Sequence, residues 1–177
     1  MNIFAIDKDP VIAAQQQCDK HVVKMILESA QLLSTAHRVI DGKEVVGKSP
    51  SGRKQKQYLI GDDRDNVLYK ATHVNHPSAI WCRQTKGNYT WLYVHFKALC
   101  KEYTSRYGKV HLCEEKLLKQ LVRPPVNIKQ EGCTPVTLAM PDEYKTSDYV
   151  ESYRKYYKSK AATIDMRWTK RNKPEWF

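Results

Sequence analysis

The chain has 177 residues with 41% apolar side chains, a size and composition suited to one domain around one core. Its net charge of +11 favours a polyanionic partner, either nucleic acid or an acidic membrane surface. No apolar run reaches the ~18 residues that a bilayer-crossing helix needs, and five scattered cysteines without framework spacing exclude a disulfide scaffold.

The first residues, MNIFAIDKDP, lack the basic start, apolar centre and small-residue cleavage site of a signal peptide. With Cys18, Cys82, Cys100, Cys113 and Cys133 expected as reduced thiols, the setting to expect is intracellular and cytoplasmic. Asp9-Pro10 is a helix start, an N-cap carboxylate followed by proline at the first helical position. Helical periodicity runs from there to about Ile40, where Asp41-Gly42 stops it, and Asp19 offers a second start inside the stretch. Residues 43–66 are polar, basic and broken by Gly and Pro, which predicts a long mobile loop carrying Lys48, Arg53, Lys54 and Lys56. That loop is either simply solvated or an arm that contacts phosphates.

Further on, 66–72 reads as helical and a short helix follows Pro77 to about Lys86. From Asn88 the sequence NYTWLYVHFKALCKEYTSRYG puts Leu92, Phe96, Leu99 and Tyr103 on one face, and Gly108 closes the helix. An amphipathic segment at 112–122 ends at Arg123-Pro124-Pro125, and 123–140 is irregular. Residues 142–160 read as a Tyr- and Lys-rich helix before the tail RWTKRNKPEWF. No repeat and no sheet-forming alternation is visible. The expected fold is all-α, a compact single domain of several helices with long irregular loops.

At 100° per residue, His21, Lys24, Glu28, Gln31, Thr35 and Arg38 form one polar stripe on the helix spanning 19–40. A polar stripe is most often a solvent side. Here cations and amides bracket one acid, and a carboxylate facing DNA phosphates needs a catalytic or structural reason to be there. Cys18-x-x-His21 and His73-x-x-His76 have loosely zinc-like spacing, but no CxxC pair or HExxH occurs, so no metal is expected. No nucleophile elbow or Gly-rich phosphate loop is present. In the C-terminal part Tyr153, Tyr156, Tyr157, Trp168, Trp176 and Phe177 interleave with Arg154, Lys155, Lys158, Arg167, Lys170, Arg171 and Lys173. Tyr153 and Tyr156 read as core, whereas the last eleven residues read as a surface for partly unstacked nucleic acid.

Several of these pieces occur in an order that resembles the phage-type pyrimidine-dimer DNA glycosylases, the endonuclease V family. They are Asp19-Lys20-His21 with Glu28 seven residues after the histidine, and His37 through Gly42-Lys43. The aromatic helix at 89–107, MPDEYKTSDYV at 140–150 and the closing KPEWF complete the set. The resemblance implies a DNA-repair glycosylase with AP-lyase activity on damaged pyrimidines, pyrimidine dimers above all, in double-stranded DNA. It implies Met1 and Glu28 as catalytic residues. With the basic stripe, loop and tail it places DNA contacts at Asn2, His21, Lys24, Gln31, Arg38, Arg53, Lys54, Arg167, Lys170, Arg171 and Trp176. No cofactor is implied, the acting form is a monomer, and a phage-encoded protein at work in a host cell is a consistent setting.

The chain departs from the family where Leu27 and Gln31 replace basic neighbours of the Glu, and where the 43–66 loop is longer. Asn2 is bulky enough for Met1 to be retained, and Met1 itself aligns with the nucleophile. In this chemistry an amine attacks C1′, expels the base and leaves a Schiff base on the sugar. Terminal α-amines titrate near 7.7–8.0, so a useful neutral fraction exists at neutral pH. The Glu would stabilise charge on the sugar and take a proton from C2′. Lys24, one turn from Glu28, is the alternative amine. Two other readings stay open: a DNA-base modification or other-lesion enzyme on the same fold, and a basic DNA-binding protein without catalysis.

Overall fold

The computed structural model describes all 177 residues. Helix α1 (Pro10–Gln15) begins where the Asp9 carboxylate accepts from the N–H groups of Val11 and Ile12. The long stretch after it is a separate helix, α2 (Asp19–Asp41), which starts beyond a three-residue break. Its apolar side buries Val22, Met25, Ile26, Leu32 and Leu33. These pack against α5 (Lys86–Tyr107), whose Leu92, Phe96 and Leu99 are also fully buried. Full burial of such a side chain is worth about 1.5–3 kcal/mol, so this face fixes the position of α2. Gly108, at φ 68, supplies the left-handed residue that ends α5.

The remaining elements are α3 (Arg64–Val67), α4 (Pro77–Gln84), α6 (Leu112–Leu117) and α7 (Tyr149–Ser159), with 3₁₀ turns at Asp142–Tyr144 and Lys160–Ala162. The helical stretches expected at 66–72 and 112–122 are therefore shorter than their patterns suggest. No helix is long and apolar enough to cross a membrane.

The all-α expectation is overturned. The chain is 49% helical and carries 7% strand as one antiparallel pair. Strands β1 (Lys43–Lys48) and β2 (Lys54–Leu59) pair from Lys43↔Leu59 to Lys48↔Lys54, so the expected mobile loop at 43–66 is largely a hairpin. Ser49 and Gly52 close its tip, with the Ser49 N–H donating to Arg53 O and Gly52 at φ 78. The sequence hides it because neither strand has a fully buried residue, and a ribbon wet on both sides needs no alternation.

Two long-range ties hold later parts of the chain against α2 and α5. Arg106, with a fully buried side chain, pairs with Asp19 at 3.0 Å and Glu102 at 3.0 Å, and Arg171 reaches Glu102 at 2.6 Å. This network joins the start of α2, the end of α5 and the C-terminal tail. Separately, a strap at 127–140 is pinned to the start of α5, where the Thr134 N–H donates to Asn88 Oδ1 at 2.8 Å. Gly87 is required there, since a Cβ would fall 2.1 Å from Cys133 N.

Candidate active site

The first six residues thread the core. Ile3, Ala5 and Ile6 are fully buried, and Phe4 stacks on His21 with ring centroids 4.7 Å apart. Asn2 turns the chain. Its Oδ1 accepts from the N–H groups of Ile3 (2.7 Å) and Phe4 (3.0 Å), and its Nδ2 donates to Ala139 O on the strap (2.8 Å). Phe4 sits at φ 54, a left-handed conformation that costs a residue without glycine's freedom about 1–3 kcal/mol. The turn aims the Asn2 N–H at α2, where it donates to Glu28 Oε2 at 2.7 Å. Asn2 was expected to touch DNA; with 8% exposure and all its side-chain polar atoms engaged inside, it is instead an anchor.

Met1 and Glu28 line a common cavity of about 290 Å³. Asn2, Phe4, His21 and Lys24 form one wall, and Tyr156, Lys160, Thr163 and Ile164 the other. Lys24 Nζ lies 3.5 Å from Glu28 Oε1, and its side chain is 66% exposed against 13% for Glu28. The Lys160 ammonium rests over the Tyr156 ring at 3.9 Å. Burial, then the charges of Lys24 and Lys160, push the His21 pKa down to about 4. His21 is thus a neutral imidazole at neutral pH, and its Nδ1 has no protein partner. His76, whose Nδ1 accepts from the Ser78 N–H at 3.1 Å, is held below the ordinary histidine value by burial, then by the terminal amine and His73, with Glu28 pulling the other way.

The expected stripe divides. His21, Lys24 and Glu28 meet at the cavity, and Gln31 is half-buried one turn on. Arg38 is corrected: at 3% exposure its guanidinium donates to Tyr58 O, Leu68 O, Tyr69 O, Asp65 O and Asp65 Oδ1, leaving no N–H for a phosphate. Arg53 and Lys54 are exposed at the hairpin tip, away from this cavity. Most of the tail is drawn into the fold. Trp176 donates from Nε1 to Gln16 Oε1 (2.9 Å) under the Arg154 guanidinium, and Trp168 donates to Gln16 O (2.7 Å). Lys170 donates to Ser105 O, Arg171 to Glu102, and Arg167 is an exposed partner of Asp165. None of these groups lines the cavity, and all but the exposed Arg167 are tied into the fold.

Phe4, Tyr156, Lys160, Thr163 and Ile164 are wall residues that sequence reasoning missed, and Tyr156 had been read as core. The Tyr156–Lys160 spacing of one helical turn was the one available signal. No three His, Cys, Asp or Glu side chains converge as a metal-ligand set. Cys18 is completely buried with its N–H donating to the Tyr157 hydroxyl, which leaves the Cys18-x-x-His21 spacing a packing feature. A larger cavity of about 430 Å³ lies between α1 and α5, but its one acid, Glu102, is already bound by Arg106 and Arg171.

A family model described as pyrimidine dimer DNA glycosylase matches residues 1–120, a span that includes Met1, Asn2, His21, Lys24 and Glu28. Ala139, Tyr156 and Lys160 fall outside it. No curated protein and no solved structure matches the chain. A match over most of the length, on a fold that brings its N-terminal segment to the one acid of the stripe, places the protein among DNA-repair enzymes: the chain belongs to the pyrimidine dimer DNA glycosylase family.

Proposed function

We propose that the protein is a DNA glycosylase with AP-lyase activity on damaged pyrimidines in duplex DNA, acting as a monomer through the α-amine of Met1 and the carboxylate of Glu28. The observation that carries this reading is the 2.7 Å hydrogen bond from the Asn2 N–H to Glu28 Oε2. It ties the backbone of the second residue to the acid, and Met1 and Glu28 line the same cavity.

In the proposed reaction the neutral amine of Met1 attacks C1′ of a nucleotide drawn out of the stack. The C1′–N bond to the base breaks and the base leaves with a proton from the amine. The ring then opens at C1′–O4′, O4′ takes a proton, and an iminium remains between Met1 and C1′. Glu28 stabilises the cationic sugar as it forms and then removes a proton from C2′. The electrons of that C–H bond expel the 3′ phosphate, cutting the strand, and water releases the product from Met1. Asn2 fixes the segment behind the amine by accepting from the N–H groups of Ile3 and Phe4 and donating to Ala139 O on the strap. His21, neutral and stacked on Phe4, gives the wall a hydrogen-bonding group that adds no charge.

Lys24 is the less suitable amine. It is two-thirds exposed and faces a carboxylate, the reverse of the desolvated setting that makes a lysine nucleophilic. The test is borohydride reduction during turnover of ultraviolet-irradiated duplex. A covalent protein–DNA product is expected, and its absence with cleavage present would replace the amine mechanism by another glycosylase chemistry. Binding without cleavage or trapping would favour the non-catalytic reading.

A further inference from the structure

We infer that the β1–β2 hairpin is a clamp for undamaged duplex flanking the lesion, gripping phosphates with Lys48, Arg53 and Lys54 at its tip. The inference rests on the proposed action on duplex DNA and adds a second contact surface away from the cavity.

The ribbon has two unlike faces. Alternation places Glu44, Val46 and Lys48 of β1 with Tyr58, Lys56 and Lys54 of β2 on one side. No neighbouring element covers that side, and Val46 is 73% exposed. Near the base its charge is neutralised: Glu44 accepts from Lys56 at 2.8 Å and from the Tyr58 hydroxyl at 2.9 Å. At the tip it is not. Lys48 and Lys54 are directly opposed in the register, Arg53 follows in the turn, and no ion pair of the protein includes any of the three. Like charges facing each other across a strand pair destabilise it, so the hairpin carries a defect that only a bound anion removes.

Its base, by contrast, is rigid. Arg38 binds Tyr58 O, and Asp65 accepts from the N–H groups of Ile60 and Gly61 as well as from Arg38. The ribbon thus projects from a fixed foot at the end of α2. A six-residue strand reaches ~20 Å, and the helix from Glu28 to Asp41 (41 − 28 = 13 residues) spans another ~20 Å. Laid end to end these spans put the tip at most ~40 Å from the cavity, about twelve base pairs along a duplex with ~3.4 Å per step, and none of Lys48, Arg53 and Lys54 lines the cavity. A two-stranded ribbon is also narrow enough to enter the major groove while its cations hold the backbone.

The experiment compares wild type with Lys48→Gln/Arg53→Gln/Lys54→Gln on two duplexes containing the same abasic site, with arms of about five or about fifteen base pairs. All three side chains are exposed and unpaired, and unchanged thermal unfolding verifies the fold. On the long duplex the slope of log affinity against log salt should fall by roughly 2–3, since each lost phosphate contact removes ~0.9. On the short duplex the slope should not change. An unchanged slope on the long duplex overturns the clamp, as does an equal loss on both duplexes, which would move the tip to the lesion. Failure of wild type to cleave either duplex would instead strike the proposed chemistry and leave the slope comparison standing.

Discussion

The two halves of α2 carry the same kind of polar stripe and use it in opposite ways. In the first half Lys24 and Glu28 open onto a cavity that also receives Met1. In the second half Thr35 and Arg38 are sealed under the chain at 58–72, with Thr35 bonded to the backbone of Thr72 and Arg38 saturated. A helix face that is polar throughout can therefore be a site at one end and a structural joint at the other. What is laid against it decides, and that lies far away in sequence: residue 2 at one end, residues 58–72 at the other.

Glu28→Gln should have the largest effect at the open end. Strand cleavage should drop by about 10²–10⁴ in single-turnover assays, the usual range for a lost acid–base group, with DNA affinity and unfolding midpoint unchanged. Cleavage at the wild-type rate would remove Glu28 from the chemistry. Arg38→Met should do the reverse. Leaving the Asp65 carboxylate and four backbone carbonyls partly unpaired should cost about 3–5 kcal/mol in urea unfolding, while the fraction that stays folded binds DNA normally. A stable variant with weakened DNA binding would show that the two halves act alike.

Acid should loosen the sealed parts of the core. Burial depresses His21, His37 and His95 to about 4, below the ordinary 6.5. The unfolded chain therefore binds more protons between those values, and stability is full above about pH 6.5 and falls as pH drops toward 4. Between pH 7 and 5 each histidine can remove up to ~2 kcal/mol, so the urea midpoint should fall by an amount several times that of a surface effect. A midpoint constant over this range would mean that these imidazoles are not held neutral. The smallest effect is expected from Lys24→Gln, which breaks an exposed pair worth at most about 1 kcal/mol. Cleavage should persist in that variant, and its loss would make Lys24 the nucleophile.

The long helices were legible because their signals are local. Asp9-Pro10 capping, the apolar face of α5 and Gly108 at φ 68 each act within a turn or two. Glu28 stood out for the same reason, as one acid among cations on a helix of known phase. The hairpin was hidden because Val45, Val46 and Leu59 give no alternation when both faces are wet. Trp168 and Trp176 were misread because aromatic residues among cations look alike whether they stack on bases or, as here, cap Gln16 and the tail. The far wall of the cavity, Tyr156 and Lys160, and the Ala139 carbonyl that holds Asn2 are brought in by contacts more than 130 residues apart, as the separation of 137 between Asn2 and Ala139 shows. Nothing in a local pattern encodes such a meeting.

The central claim is that the first residue of the chain supplies the amine opposite Glu28. Its most direct test is borohydride trapping of protein with a free, untagged Met1 on abasic duplex, followed by peptide mapping of the adduct. The account predicts the sugar on the N-terminal peptide, attached at the α-amine of Met1, with trapping lost when an uncleaved tag extends the chain. An adduct on Lys24 or Lys160, or strand cleavage with no adduct, would contradict it.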